Sequence, residues 1–210
     1  MRQLKQFISR QLRQPSGVFG RQVMTRLLDR GNTALIVATS TALDLRLDSA
    51  YLDVGFGGGL ALREAATVIT QGSLCGVDFS PDVVSHGQRR HASLIAAGRL
   101  TLLQADVGAL PLRDRLFDRI STTNTVYFWP DPPGAAAEIL RVLTPGGRLA
   151  IGYTGAEKMA RYPHLSEGFT HYRPEQVEAL LTAAGFDQVH SEALHGDLLD
   201  GDFVTLATRP

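Results

Sequence analysis

From residue 51 onward the chain alternates short apolar runs with helical patterns, and this alternation constrains its fold more than any single motif. Tyr51 to Val54 is a short buried strand, followed by a glycine turn and a helix over about 59–70. Ser73 to Asp78 is a second strand; Ser80 is a good N-cap and Pro81 a good first-turn residue for the next helix. Leu100 to Gln104 and Phe117 to Thr123 are the third and fourth strands, and a helix over about 132–143 follows. Thr144 to Gly147 reads as a turn, and Arg148 to Tyr153 as a fifth strand. Strands separated by helices imply parallel βαβ units, hence a three-layer α/β sandwich with helices on both faces of the sheet. After a helix over 174–184 that ends at Gly185, the pattern changes. Phe186 to Ala193 and Phe203 to Thr208 are joined by a link too short for a crossover helix, so they pair as an antiparallel hairpin.

The 210 residues suit a single domain, with a helical region over 1–46 and the α/β core over 50–210. Helical stretches are expected over about 20–30 and 33–46. The first segment is basic and places Leu4, Phe7, Ile8 and Leu12 at helical spacing. It reads either as a lid on the domain edge or as peripheral contact with an anionic membrane surface or substrate. No apolar run approaches the ~18–20 residues of a membrane span. Zero formal net charge gives no general reason to expect a nucleic-acid partner. The one cysteine, Cys75, lies in a buried strand, which fits a reducing cytoplasm. A monomer or a homodimer is expected.

The first strand runs into Asp53-Val54-Gly55-Phe56-Gly57-Gly58-Gly59. Glycines at a strand-to-helix turn let the backbone approach a ligand, and the helix start offers free N–H groups. Asp78 ends the second strand 25 residues after Asp53, where a carboxylate can take two ribose hydroxyls. Phe79 follows it, placed to lie against an adenine face. Asp106 follows the third strand, where it can accept from an adenine amino group. Each aspartate alone could be a turn or capping residue, but all three fall at the carboxyl ends of consecutive strands, where open α/β sheets bind ligands. A nicotinamide fingerprint G-x-G-x-x-G fails in both frames, at Leu60 and at Leu62, and no P-loop string is present.

At this point the sequence resembles the class I S-adenosylmethionine-dependent methyltransferases, especially the small branch related to ubiquinone/menaquinone-biosynthesis enzymes. The strings YLDVGFGGG, GVDFSPDVV, LLQADVGALPL, FDRISTTNTVYFWPDP, RVLTPGGRLAIGY and YRPEQVEALLTAAGF carry the resemblance over about residues 50–190. It implies a Rossmann-like sheet of seven strands in the order 3-2-1-4-5-7-6 with strand 7 antiparallel, which agrees with the terminal hairpin. It also implies S-adenosylmethionine as cofactor and S-adenosylhomocysteine as product. Asp53 with Gly55, Phe56, Gly57 and Gly59 would hold the methionine portion, and Asp78 the ribose. Phe79 would flank the adenine, Asp106 and Val107 would meet its nitrogens, and the Asn124 backbone would touch the methionine end. Asp53 stands where the family often has Glu.

A methyl sulfonium is already a strong electrophile, so the protein's main work is to align a nucleophile and exclude water. No catalytic dyad is therefore required. Candidates on the acceptor side are Tyr127, Phe128 and Trp129 after strand four, with His164, His171 and Tyr172 after strand five. His171 is the candidate base, and Tyr127 a second catalytic candidate. The acceptor is expected to be a small molecule, such as a quinone- or lipid-like metabolite. His86 and His91 have the wrong spacing for two ligands on one helical face, and no metal site is expected. Two other functions compete: a cofactor-binding module that transfers nothing, and a nicotinamide-dependent oxidoreductase.

Overall fold

The computed structural model of the chain describes residues 25–161, 169–196 and 199–210, with side chains from residue 32 onward. The order is α1 (Thr25–Thr41), β1 (Ala50–Val54), α2 (Leu60–Val68), β2 (Ser73–Asp78), α3 (Pro81–Arg90), α4 (Ala92–Ala96) and β3 (Leu100–Gln104). There follow β4 (Phe117–Thr123), a 3-10 turn at Val126–Phe128, α5 (Pro132–Val142), β5 (Leu143–Thr154), α6 (Ala156–Ala160), α7 (Pro174–Ala184), β6 (Asp187–Ala193) and β7 (Asp202–Thr208).

The seven strands form one sheet in the order β3-β2-β1-β4-β5-β7-β6. Strands β1 to β5 pair in parallel, and β7 runs antiparallel between β5 and β6. Side chains alternate across each strand. On β1, Leu52 and Val54 join the core under α5 and α7, while Tyr51 joins the core under α1, α2 and α3. Strand order reverses between β1 and β4. The helix after β1 leaves to one face and the helix after β4 to the other, which opens a crevice at the carboxyl ends of these two strands.

Local signals act as expected at several ends. The Ser80 hydroxyl accepts from the Val83 amide at 3.4 Å with Pro81 in the first turn, and Gly185 closes α7 at φ 99°. Two boundaries differ from the sequence expectation. The helical stretches expected over 20–30 and 33–46 are, within the described residues, one helix that runs through Gly31 and stops at Thr41. A glycine interior costs about 1 kcal/mol; burial of Leu35, Thr39 and Ser40 against the sheet offsets it. Beyond Thr41, Leu43 is buried but Asp44 is left-handed at φ 52°, which ends the helix. The expected turn Thr144 to Gly147 is instead a bulged start of β5. It is fastened there because Gly146 N donates to Arg209 O at 2.9 Å and Arg209 N to Gly147 O at 3.0 Å. The basic segment carrying Leu4, Phe7, Ile8 and Leu12 lies outside the described residues.

Candidate active site

Asp53 sits at the end of β1, buried, with the register placing it opposite Ser121 of β4. The Ser121 hydroxyl donates to Asp53 Oδ1 at 2.9 Å and lies 2.5 Å from the Tyr51 hydroxyl. Burial, offset in part by this hydrogen bond and reinforced by the charge of Asp78, pushes the Asp53 carboxyl up to about 7. Sequence reasoning missed Ser121. Its strand also carries Asp118, Arg119, Thr122 and Thr123, so nothing local set this hydroxyl apart.

The glycine loop is a left-handed turn, with φ of 76° at Gly55, 49° at Gly57 and 75° at Gly59. A Cβ on Gly55 would lie 2.4 Å from Thr125 Cγ2, and one on Gly59 would lie 2.5 Å from His91 Nε2. Both positions thus require glycine twice over, for backbone sign and for space. Phe56 turns inward and is buried. Asp78, half-buried at the end of β2, accepts from Gly57 N at 3.1 Å and from Ser80 N at 2.9 Å. Its carboxyl is also raised, by burial that these two donors oppose. The Asp78 carboxylate therefore holds the glycine loop directly. Phe79 beside it is 53% exposed, an aromatic face turned to solvent at the crevice.

Asp106 is exposed beyond the end of β3, in a turn where Gly108 N donates to Asp106 Oδ1 at 2.8 Å. Val107 is half-buried beside it. The preceding residue is anchored to β2, with Ala105 N donating to Asp78 O at 3.1 Å. A cleft of about 270 Å³ separates Asp106 and Val107 from Pro130, Asp131 and Gly134; neither Asp53 nor Asp78 lines it.

After β4, Asn124 is left-handed at φ 56° and its amide donates to Gly152 O at 2.8 Å. The buried Tyr127 hydroxyl donates to Asn124 Oδ1 at 2.8 Å and accepts from Thr154 N, joining the ends of β4 and β5. Burial drives the Tyr127 phenol well above its ordinary value. Thr122 Oγ1 reaches Val54 O at 2.8 Å and also contacts Thr125 Oγ1, tying β4 to the start of the glycine loop. Tyr127 and Trp129 lie in the core, so the aromatic run splits. Only Phe128 of the three is half-buried, set edge-on to Phe169 with centroids 4.5 Å apart. His171 is half-buried in a segment tied down by Thr170 N to Tyr127 O at 3.3 Å and Ala156 N to Tyr172 O at 2.9 Å. His164 lies outside the described residues.

A sequence profile of the methyltransferase domain matches residues 52–151, the stretch holding Asp53, the glycine loop, Asp78, Asp106 and Asn124. In that stretch the chain is similar in sequence, and throughout its sheet similar in fold, to the class I S-adenosylmethionine-dependent methyltransferases. Among relatives, the ubiquinone/menaquinone biosynthesis C-methyltransferase of Geotalea daltonii is 33% identical over 115 residues, covering 54% of this chain and 49% of that one. This chain spans about half or less of the length of such relatives. A methyltransferase structure from Aquifex aeolicus superposes with a TM-score of 0.73 at 21% identity, covering 89% of this chain and 97% of that one. The phosphoethanolamine N-methyltransferase 2 of Haemonchus contortus, solved with S-adenosylhomocysteine, gives 0.75 at 16% identity, covering 92% and 58%. Both structural likenesses are likenesses of fold.

The site's donors and space fit the family's cofactor. At Gly57 a Cβ would meet nothing nearer than Gly55 O at 4.0 Å, so the loop faces open space there; a buried carboxylate lacks a cationic partner among the groups bonded to it, and an aromatic face stands exposed beside Asp78. No helix of the described residues is long and apolar enough to cross a membrane.

Proposed function

We propose that this chain transfers the methyl group of S-adenosylmethionine to a small-molecule acceptor and releases S-adenosylhomocysteine. The observation that carries the reading is the coupling of Asp53, the left-handed glycine loop and Asp78, with Asp106 one strand further along. In this reading Asp53 faces the cofactor's ammonium, and Gly55, Phe56, Gly57 and Gly59 shape the cradle of its methionine portion. Asp78 takes the ribose hydroxyls while Phe79 covers one adenine face. Asp106 and Val107 meet the adenine nitrogens. The Asn124 backbone borders the methionine end, and Tyr127 sets it through the bond to the Asn124 side chain. When bound, the sulfonium supplies an electrophilic methyl group.

The acceptor enters between the ends of β4 and β5, where Phe128 and Phe169 offer an apolar wall. A flat or lipid-like metabolite suits that wall, and the quinone-pathway relative supports the same class. His171 is the proposed base for an acceptor that must lose a proton; an acceptor already nucleophilic needs none. The buried free thiol of Cys75 supports work in a reducing cytoplasm, as a monomer or homodimer.

Isothermal titration with S-adenosylmethionine and NAD, followed by mass-spectrometric screening of a metabolite extract for cofactor-dependent gain of one methyl, tests the proposal. The expected result is binding of the first ligand alone and at least one methylated product. Binding with no methylated product across extracts would identify a cofactor-binding module, and preference for NAD would end the reading altogether.

A further inference from the structure

The loop between β3 and β4 carries Asp106 and Val107, yet has neither helix nor strand to hold it. Loops of this length without regular structure are uncommon in compact domains and need specific anchors. Its first anchor is Ala105 on Asp78. Its far end is fixed by Arg115 N on Arg141 O at 2.9 Å and Leu116 N on Val142 O at 2.8 Å, and Leu110 is buried in the core. The polar groups of its middle are held by one side chain on α5. Arg141 Nε donates to Glu138 Oε1 at 2.8 Å, and its Nη2 donates to Glu138 Oε2 at 2.9 Å and to Leu110 O at 3.0 Å. Its Nη1 donates to Leu112 O at 2.8 Å and Asp114 Oδ1 at 2.7 Å. Glu138 completes the clamp by accepting from Leu110 N at 2.9 Å.

All three guanidinium nitrogens are thus spent on one loop and on the carboxylate that also grips it. The helix does not depend on them for its seat: Ala135, Ala136, Ile139 and Val142 bury its inner face completely. What Arg141 holds is the loop. From its grip at Leu110, four residues lead back to Asp106, and the turn between is closed by Gly108 N and Ala109 N on Asp106.

We propose that Arg141, with Glu138, is a positioning residue for the adenine end of the cofactor site, acting through the loop that presents Asp106 and Val107. This rests on the adenine role given to Asp106 above. A lysine would not replace it, because a point ammonium cannot serve carbonyls and carboxylates on opposite sides of a planar fork.

The test is calorimetric titration of the full chain with S-adenosylhomocysteine and with 5′-methylthioadenosine, which keeps the adenosine and lacks the amino-acid end. Arg141→Ala should weaken both ligands by the same factor, about tenfold, within the range such networks carry. Arg141→Lys should recover little, and amide exchange at Gly108 to Leu110 should quicken in the folded variant. Asp106→Ala is the reference and should weaken both ligands as well. A folded Arg141→Ala with unchanged affinity, beside a weakened Asp106→Ala, overturns the inference and leaves the Asp106 role standing. An inert Asp106→Ala overturns that role and the inference with it. If Arg141→Ala does not fold, Glu138→Ala, which removes the acceptor of Leu110, is judged by the same criteria.

Discussion

Replacing Asp53 by Asn should stabilise the cofactor-free protein, by an amount that grows with pH. The carboxyl is buried, receives one side-chain hydrogen bond, from Ser121, and faces the charge of Asp78. It holds its proton up to about pH 7, against 3.8 in an open chain. The folded state therefore binds more protons than the unfolded state between those values, and stability falls as pH rises through the window. At 1.36 kcal/mol per pH unit, the full cost of ionising Asp53 in place is about 4 kcal/mol, of which about 3 develops between pH 5 and 8. Asn keeps an oxygen for Ser121 and cannot ionise. Other titrations are common to both proteins and largely cancel in the difference. Urea unfolding of the two proteins at pH 5 and pH 8 measures it directly. The expected outcome is an advantage for Asp53→Asn that is larger at pH 8 by about 3 kcal/mol. An advantage that is the same at both pH values would refute the reasoning. In the proposed function the same variant loses affinity for S-adenosylmethionine, because the destabilising charge is the one that meets the ammonium.

Three further outcomes follow from the geometry. Gly55→Ala should lower stability by about 1–3 kcal/mol through strain at φ 76° and collision with Thr125, and should abolish measurable cofactor binding by calorimetry. Phe79→Ala, at an exposed position, should change thermal stability by no more than about 0.5 kcal/mol, yet weaken S-adenosylhomocysteine by about 1–3 kcal/mol if the ring stacks on adenine. An unchanged affinity would remove that role. His171→Ala should leave cofactor affinity intact and reduce turnover on an acceptor that must be deprotonated by about 10²–10⁴-fold; full turnover on such an acceptor would discard the base.

The parallel strands and their ends were legible because burial on both faces writes itself as short apolar runs, and because ligand loops need left-handed glycine. Asp53, Asp78 and Asp106 could be placed at strand ends from that pattern alone. The order of the strands could not; it came through family resemblance, since pairing joins segments far apart in the chain. For the same reason Ser121, 68 residues from Asp53, went unseen although it is that carboxylate's donor. Arg141 looked like an ordinary last-turn helix residue, and its role depends on carbonyls about 30 residues away. Local rules failed where tertiary contacts outweighed them. Gly31 did not break α1, and Pro145-Gly146-Gly147 became part of β5 because Arg209 pairs with it.

The two raised carboxylates belong to one unit. Asp78 grips the loop through Gly57 N, the loop follows directly from Asp53, and each negative charge opposes ionisation of Asp53 or is opposed by burial. The fold carries the cost because the loop is already shaped: Gly55 N is fastened to Val77 O at 2.7 Å and Gly59 N to Phe56 O at 2.7 Å. A cationic ligand with hydroxyl donors therefore meets a cradle whose backbone is set and whose two carboxylates have no cation among the groups bonded to them, and its binding free energy returns to the protein as stability. At a free concentration of 100 times Kd that return is about 2.7 kcal/mol, of the same order as the charge cost at Asp53 near neutral pH.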